Sequence, residues 1–249
     1  VIAGDGCLME GISQEAISLA GHLKLAKLIV LWDDNSISID GPINLSSSEN
    51  QIARFQAAGW ATAQADGHDA EAVAAAIAKA KTSDRPVLIA CKTVIGYGAP
   101  TKAGTSATHG SPLGKDEVAG ARAKLGWAHA PFVVPDAIRA AWSKAGQRGQ
   151  ADYAAWAKRH DGSAHRAEHD RVMAHELPES FAAKVNELKD AIAAEAPKIG
   201  TRQSSQKVIE ALAPILPEFI GGSADLTGSN NTKAKTAQAI KAGSYGGSY

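Results

Sequence analysis

The chain has 249 residues, of which 26 are basic and 26 acidic, so its formal net charge is zero. This length can bury a large core in one big domain or in two. Balanced charge without a basic tract argues against nucleic acid or a membrane surface as a partner, and no apolar run approaches a membrane span. Cys7 and Cys91 are too far apart for a CxxC motif. They are typical of reduced thiols, and we expect a cytoplasmic protein.

The first ninety residues alternate between strand and helix patterns. Residues 1–3 and 28–32 are short apolar runs typical of buried strands, and apolar residues recur at helical spacing over 11–23. Asp69 is placed to cap a further helix, and a third apolar strand follows at 86–91. This order predicts an α/β fold, a parallel sheet with flanking helices.

The next part of the chain changes in character. Residues 96–114 are rich in Gly, Ser, Thr and Pro, and a loop of this length in a compact domain is often functional. Helical patterns follow near 116–125, 135–145 and 151–176. The last pattern is polar and rich in histidine, so we interpret it as one solvated connecting helix.

A new apolar pattern begins at Pro178. We expect one helix after this proline, a second over 202–213 that Pro214 ends, and then a strand at 219–220 that leads into a polar loop. This pattern indicates the start of a second α/β domain. We expect the linker between the two domains at 166–177.

Polar residues follow the first two predicted strands. Gly4-Asp5-Gly6 alone predicts a turn, but a helix follows at once and can present backbone N–H groups to an anion. Asn35 follows the second strand, and parallel strands end at the same edge of a sheet. Carboxylate and amide oxygens are ligands that Mg²⁺ prefers, and Mg²⁺ commonly bridges protein carboxylates to phosphates. We therefore predict a metal and diphosphate site at this edge.

Five longer blocks share one order along almost the whole chain: residues 4–13, 32–41, 92–98, 109–113 and 221–226. In this order they resemble the transketolase family. The resemblance implies a thiamine diphosphate-binding fold, incomplete here. It also implies transfer of a two-carbon ketol unit from xylulose 5-phosphate to ribose 5-phosphate or erythrose 4-phosphate. The enzyme would be a homodimer that acts on sugar phosphates in the pentose phosphate pathway or the Calvin cycle.

The resemblance assigns a role to each residue of the predicted edge. Asp5, Asn35 and the main-chain oxygen of Ile37 would bind Mg²⁺ or Ca²⁺, which holds the diphosphate. The backbone of Gly6 would assist, and Ile39 would pack near the thiazolium ring of the cofactor.

The resemblance also implies roles for residues outside these turns. Glu10 would belong to an acidic network that joins the two cofactor sites of the dimer, and Asp225 would contact the cofactor across the dimer interface. His109 would reach the diphosphate and the reacting carbons of the substrate as a catalytic residue. Arg202 and Ser229 would bind the substrate phosphate, although the residues around Ser229 depart from the usual Pro-Ser pattern.

The resemblance would place residues 1–165 in the later part of the diphosphate-binding domain and 178–249 at the start of the pyrimidine-binding domain. We expect a piece of a longer enzyme, and little or no ketol transfer by this piece alone. The alternatives are dihydroxyacetone synthase, phosphoketolase, deoxyxylulose phosphate synthase, or an inactive cofactor-binding fragment. A generic nucleotide-binding domain is disfavoured because the sequence contains neither G-x-G-x-x-G nor a P-loop.

Overall fold

The computed structural model describes residues 1–249, which form two compact units, Val1–Val133 and Val134–Tyr249. The predicted linker at 166–177 lies inside the second unit, and its role as a domain boundary stays a prediction. None of the helices combines the length and the apolar character that crossing a bilayer requires.

The first unit is built on a parallel sheet, as the sequence predicts. The unit contains six strands: β1 Ile2–Gly4, β2 Ile29–Asp34, β3 Ile37–Ser38, β4 Gly41–Pro42, β5 Ala61–Asp66 and β6 Val87–Lys92. Four of them pair in the order β1-β2-β6-β5, all parallel. In the register of this sheet, Leu31 of β2 lies opposite both Ile2 and Ile89. The short β3 and β4 form a separate antiparallel pair.

Four helices lie between these strands along the chain, and a fifth follows β6. They are α1 Asp5–Met9, α2 Gly11–His22, α3 Gln51–Ala57, α4 Ala70–Ala80 and α5 Lys115–Lys124. The predicted helix at 11–23 is confirmed as α2. The predicted cap is also confirmed, because one oxygen of Asp69 accepts hydrogen bonds from the N–H groups of Glu71 and Ala72.

The core lies on both faces of β6. Successive side chains of a strand point to opposite faces, so Leu88 and Ala90 enter one cluster while Ile89 and Cys91 enter the other. The first cluster also contains Ala3, Leu8, Ile17, Ala20, Val30, Trp32, Phe55 and Trp60. The second is completed by Val87 and by residues of β2, β5 and α4. The predicted strand at 86–91 is therefore buried on both sides.

The sequence analysis did not identify α3 and β5. The helix has only seven residues, too few to establish a helical period. The strand alternates small and polar residues, and Ala61, Ala63 and Ala65 pack against the second core cluster, the one that contains Ile89 and Cys91. Alanine is depleted in strands, so this alternation is a weak signal without the neighbouring β6.

Gly21 permits the close approach of α2 to the segment before β5. A Cβ atom at Gly21 would lie 1.8 Å from the carbonyl oxygen of Ala58 and 3.2 Å from Cδ1 of Trp60. Gly11, in the same helix, has no atom within 4 Å of the corresponding position. The two glycines therefore differ in packing although they share one helix.

We expect Gly21→Ala to lower the free energy of unfolding by about 2 kcal/mol or more, because the backbone of the Ala58 segment must shift. Gly11→Ala is the matched control and should change stability by less than about 1 kcal/mol, in the stabilising direction. Urea unfolding of the three chains, followed by tryptophan fluorescence, measures both values. Equal effects of the two substitutions would contradict this account of the packing.

The second unit is helical. It contains α6 Asp136–Gln147, α7 Gln150–Asp161, α8 Arg166–Met173, α9 Ser180–Glu195, α10 Thr201–Leu212 and α11 Thr227–Asn230. The prediction of one continuous helix over 151–176 is wrong, because the helical conformation is interrupted between α7 and α8. Gly162 ends α7 with its N–H bonded to Lys158 and His160 carbonyls, and the Ser163 hydroxyl accepts from the N–H of His165. Gly and Ser both favour helix ends over helix interiors.

The prediction of a strand at 219–220 is also wrong. The segment is irregular, and Phe219 and Ile220 are exposed. The N–H of Gly221 donates to the carbonyl oxygen of Ser248, and no ladder of further bonds follows. A strand is stabilised by neighbours in a sheet, and this unit contains only an isolated bridge between Lys241 and Ser244.

Arg171 joins distant segments of this unit. Its guanidinium makes paired hydrogen bonds to Glu168 of α8 and to Glu218, 47 residues later, and it also donates to the carbonyl of Glu176. The Arg171 side chain is only 12% exposed. These hydrogen bonds hold the pKa of Glu168 and the pKa of Glu218 below their usual range.

We expect Glu218→Gln to lower the urea midpoint of the second unit at pH 7. A carboxylate with a lowered pKa contributes stability above its unfolded pKa, about 4.3 for glutamate, and loses it as the pH falls through the folded value. The difference in urea midpoint between Glu218→Gln and the wild type should therefore become smaller below about pH 4. Glu187→Gln removes an exposed pair with Lys184 and should have little effect at either pH. If the difference in urea midpoint did not change with pH, the result would contradict the stabilising role of the ion pair between Arg171 and Glu218.

Candidate functional site

A cleft of about 470 Å³ lies where β1 and β2 end. It brings together six of the residues that the sequence analysis selected. The residues that line it are Gly4, Asp5, Gly6, Cys7, Asp33, Asn35, Ile37, Ser38, Ile39, Asp40, Ile95 and His109. The prediction that one sheet edge collects these side chains therefore agrees with the geometry.

Asp5 is the buried acid of this cleft. It begins α1 directly after β1 and is 5% exposed. One carboxylate oxygen accepts a hydrogen bond from Nε1 of Trp32 at 3.1 Å, and the other accepts from the N–H of Ser36 at 2.9 Å. Burial raises the pKa of Asp5 and repulsion by Asp34 adds to the rise, whereas the two hydrogen bonds and Lys92 act in the opposite direction.

This environment is suited to a cation. A buried carboxylate is costly unless it is paired, and each oxygen of Asp5 has one N–H donor. An ionised carboxylate has about four lone-pair sites, so acceptor capacity remains for a metal ion. The donor chemistry of Asp5 therefore fits a hard divalent metal.

The turn after β2 orients Asn35. Its amide oxygen accepts from the N–H of Ile37 at 3.0 Å, and its amide nitrogen donates to Asp33 at 3.2 Å. The hydroxyl of Thr93 in turn donates to Asp33. Ser36 has a φ of 64°, in the left-handed region, which turns the chain back towards Asp5. Asn35 and Ile37, each of which has a neutral oxygen, thus line the cleft with Asp5.

Gly6 leaves room for a ligand. A Cβ atom at this position would meet no other atom within 4 Å. Gly6 and Cys7 lie in the first turn of α1, where backbone N–H groups have no acceptor within the helix. A phosphate can approach these groups without steric hindrance.

His109 enters the cleft from the long loop. It follows a short 3₁₀ turn, Ser106–Thr108, and its N–H donates to the carbonyl of Ser106. Its side chain is exposed, as is that of Ile39. Ile95 also lines the cleft, and the sequence analysis did not select it. The signal for Ile95 was its position inside the block 92–98, one of the five that resemble the family.

The remaining predicted residues lie outside this cleft. Glu10 is exposed at the N-terminus of α2 and is not among the lining residues. Arg202, Ser229 and Asp225 belong to the second unit, where Nη1 of Arg202 donates to the main-chain oxygen of Ser229 at 3.1 Å. Asp225 is exposed and has a φ of 63°. The structure thus brings Arg202 and Ser229 together, and the roles of these four residues stay predictions.

A second cleft, of about 660 Å³, lies at the ends of β5 and β6. No residue that the sequence analysis selected lines it. His68 lies there with its Nε2 accepting from the N–H of Val94 at 2.9 Å and its ring stacked on Tyr97. These contacts give His68 a local structural role.

Comparison with known proteins agrees with the resemblance. Residues 1–181 match the family model described as "Transketolase, thiamine diphosphate binding domain". The chain is 49% identical to a transketolase of Sinorhizobium medicae over 249 residues, all of this chain and 36% of that protein. It is 46% identical to transketolase 1 of Escherichia coli K12, over 97% of this chain and 38% of that protein.

Solved structures show the same relationship. Transketolases from Pichia stipitis and Leishmania mexicana superpose with TM-scores of 0.87 and 0.88, each at 36% identity. Each comparison covers all of this chain and 38% of the other chain. The predicted fold class is confirmed, and the chain spans little more than a third of the length of these relatives. The chain belongs to the transketolase family, and residues 1–181 match the model of the thiamine diphosphate binding domain of that family.

Proposed function

We propose that the protein in which this chain occurs is an active transketolase. It would transfer a two-carbon ketol unit from a ketose phosphate to an aldose phosphate. The observation that carries the proposal is the cleft in which the buried Asp5 meets Asn35, Ile37 and the unobstructed backbone of Gly6. The family match supports thiamine diphosphate as the ligand of this cleft.

We propose that Asp5, Asn35 and the carbonyl of Ile37 hold Mg²⁺, or Ca²⁺ in its place. All three are hard oxygen donors, as these ions prefer. Asp5 supplies the negative charge, and the two neutral oxygens avoid further repulsion with a diphosphate. The first-turn N–H groups of α1 would bind the phosphate oxygens directly. Ile39 and Ile95 offer apolar contacts to the rest of the cofactor.

His109 is the candidate for proton transfer. Its imidazole can donate or accept a proton near neutral pH, and it lies in the same cleft as Asp5 and Gly6. When bound, thiamine diphosphate supplies a stabilised carbon nucleophile that can carry the two-carbon unit. The residues of this chain would hold the metal, orient the diphosphate and position the imidazole of His109 for proton transfer.

Ketose phosphates are supported as substrates by relatives of known structure. Transketolase from Pichia stipitis has been crystallised with fructose 6-phosphate and with xylulose 5-phosphate. We propose that Arg202 and Ser229 contact the substrate phosphate, since arginine is suited to forked phosphate contacts. We further propose a cytoplasmic homodimer of the pentose phosphate pathway or the Calvin cycle. Glu10 would link its two sites, and Asp225 would contact the cofactor of the partner.

A coupled assay tests the proposed activity. The protein in which this chain occurs is given xylulose 5-phosphate, ribose 5-phosphate, thiamine diphosphate and Mg²⁺, and product formation is followed. Activity that requires the cofactor supports the proposal. Activity with formaldehyde but not with ribose 5-phosphate would instead indicate dihydroxyacetone synthase, and no cofactor-dependent activity with either acceptor would contradict the proposal.

We expect Asp5→Asn to weaken thiamine diphosphate binding in the presence of Mg²⁺ by about 100-fold or more, because loss of even an outer-shell partner costs 10- to 100-fold. Isothermal titration calorimetry measures this affinity. Asp40→Asn is the matched control, the same chemical change at another acid that lines the cleft, and it should bind almost as wild type does. Wild-type affinity in Asp5→Asn would refute the metal assignment.

We expect His109→Asn to lower kcat by roughly 10²- to 10⁴-fold, the usual contribution of a positioned acid–base group. The affinity for the cofactor should change far less than kcat. His22→Asn, at an exposed histidine in the last turn of α2, serves as the control and should leave kcat unaltered. A normal kcat in His109→Asn would exclude the residue from proton transfer.

A further inference from the structure

The turn between α7 and α8 brings two histidines and an aspartate together. Nε2 of His160 lies 2.7 Å from Oδ1 of Asp170, and Nδ1 of His169 lies 3.2 Å from the same oxygen. All three ligand atoms lie within 4.8 Å of one another. The cluster belongs to the second unit and has no part in the proposed transketolase chemistry.

Aromatic packing holds the two imidazoles in place. The ring of Trp156 stacks on His160 with centroids 4.9 Å apart, and His160 meets His169 edge-on at 5.0 Å. The side chain of His160 is 16% exposed, whereas those of His169 and Asp170 are nearly half exposed. The cluster is therefore ordered on one side and accessible to solvent on the other.

This ligand set is one that zinc binds. Two imidazole nitrogens and one carboxylate oxygen form a common three-residue Zn²⁺ site in which water takes the fourth position. With metal–ligand bonds of about 2.0–2.1 Å, ligand atoms in a tetrahedral site lie roughly 3.3–3.4 Å apart. Each ring nitrogen lies close to this distance from Oδ1 of Asp170, at 2.7 and 3.2 Å, and all three ligand atoms lie within 4.8 Å of one another.

The surrounding charges also favour a cation. Oδ1 of Asp161 lies 3.8 Å from Nδ1 of His160, and Arg166 lies 3.5 Å from both Asp161 and Asp170. The two aspartates and the one arginine carry a net charge of −1, which attracts a cation. Arg166 contacts Oδ2 of Asp170, whereas Oδ1 faces the two histidines, and a bound metal ion would replace these two contacts.

We propose that His160, His169 and Asp170 form a zinc-binding site that joins α7 to α8. The alternative explanation of the same geometry is a pair of hydrogen bonds from two ring N–H groups to one carboxylate oxygen. The two explanations differ in one measurable property, the binding of a metal ion at a stoichiometry of one per chain.

The test is calorimetric titration of the chain with Zn²⁺ in a large excess of Mg²⁺, which competes for exposed acidic groups and for the proposed metal site at Asp5. We expect one Zn²⁺ per chain. His160→Ala and His169→Ala should each weaken Zn²⁺ binding by about tenfold or more, since even the mutation of a residue that only hydrogen-bonds to a metal ligand has an effect of this size. Asp170→Asn, which keeps the size of the side chain, should also weaken binding. Circular dichroism checks that each variant keeps its helices.

His165→Ala is the matched control. This exposed histidine lies four residues before His169, so the two could chelate a metal along one helix face without His160. We expect His165→Ala to bind Zn²⁺ as wild type does. Unchanged binding in His160→Ala, equal loss in His165→Ala, or no stoichiometric binding by the wild-type chain would each overturn the proposal.

Discussion

The parallel pairing of β1 with β2 is the constraint on which the candidate site depends. Gly4 lies opposite Asp33 in this pairing, so the turns that follow the two strands leave the sheet at the same edge. Asp5 and Asn35 are separated by thirty positions in sequence, yet they line one cleft. An antiparallel pairing would place these residues at opposite ends of the strands and no shared site would form.

The same pairing connects the site to the hydrophobic core. Trp32 belongs to the buried cluster on one face of the sheet, and its indole nitrogen donates to Asp5. Ser36 donates to Asp5 from the next turn. A carboxylate removed from water needs such donors, and it retains capacity to bind a cation. The hydrophobic core thus positions Asp5, and its burial makes the Asp5 carboxylate suitable as a metal ligand.

The second unit is stabilised in a different way. Ala234 is its only fully buried apolar residue, and polar contacts join its segments. Arg171 bonds to Glu168 and to Glu218, which lies 47 residues after it, and Asp170 is in contact with two histidines on successive helices. Exposed ion pairs contribute little, so partial burial of Arg171 is what makes its hydrogen bonds important.

The sequence by itself determined the features that short patterns carry. Continuous apolar runs predicted the three strands at 1–3, 28–32 and 86–91, although Val1 and Ile2 of the first run are exposed and not buried as predicted. Asp69 predicted a helix start, Asp5 with Asn35 predicted a shared sheet edge, and the five longer blocks predicted the family. Each of these signals depends on residues that are neighbours along the chain, or on strands whose direction the alternation of elements already implies.

Only the tertiary structure decided the features that depend on distant partners. β5 forms because β6 pairs with it, although its own sequence is a poor strand, and the apolar residues at 219–220 form no strand because no neighbouring strand pairs with them. The entry of Ile95 into the cleft and the meeting of His160 with His169 likewise depend on how loops and helices fold back. Local pattern carries no information about such contacts, because their free energy comes from residues far away in sequence.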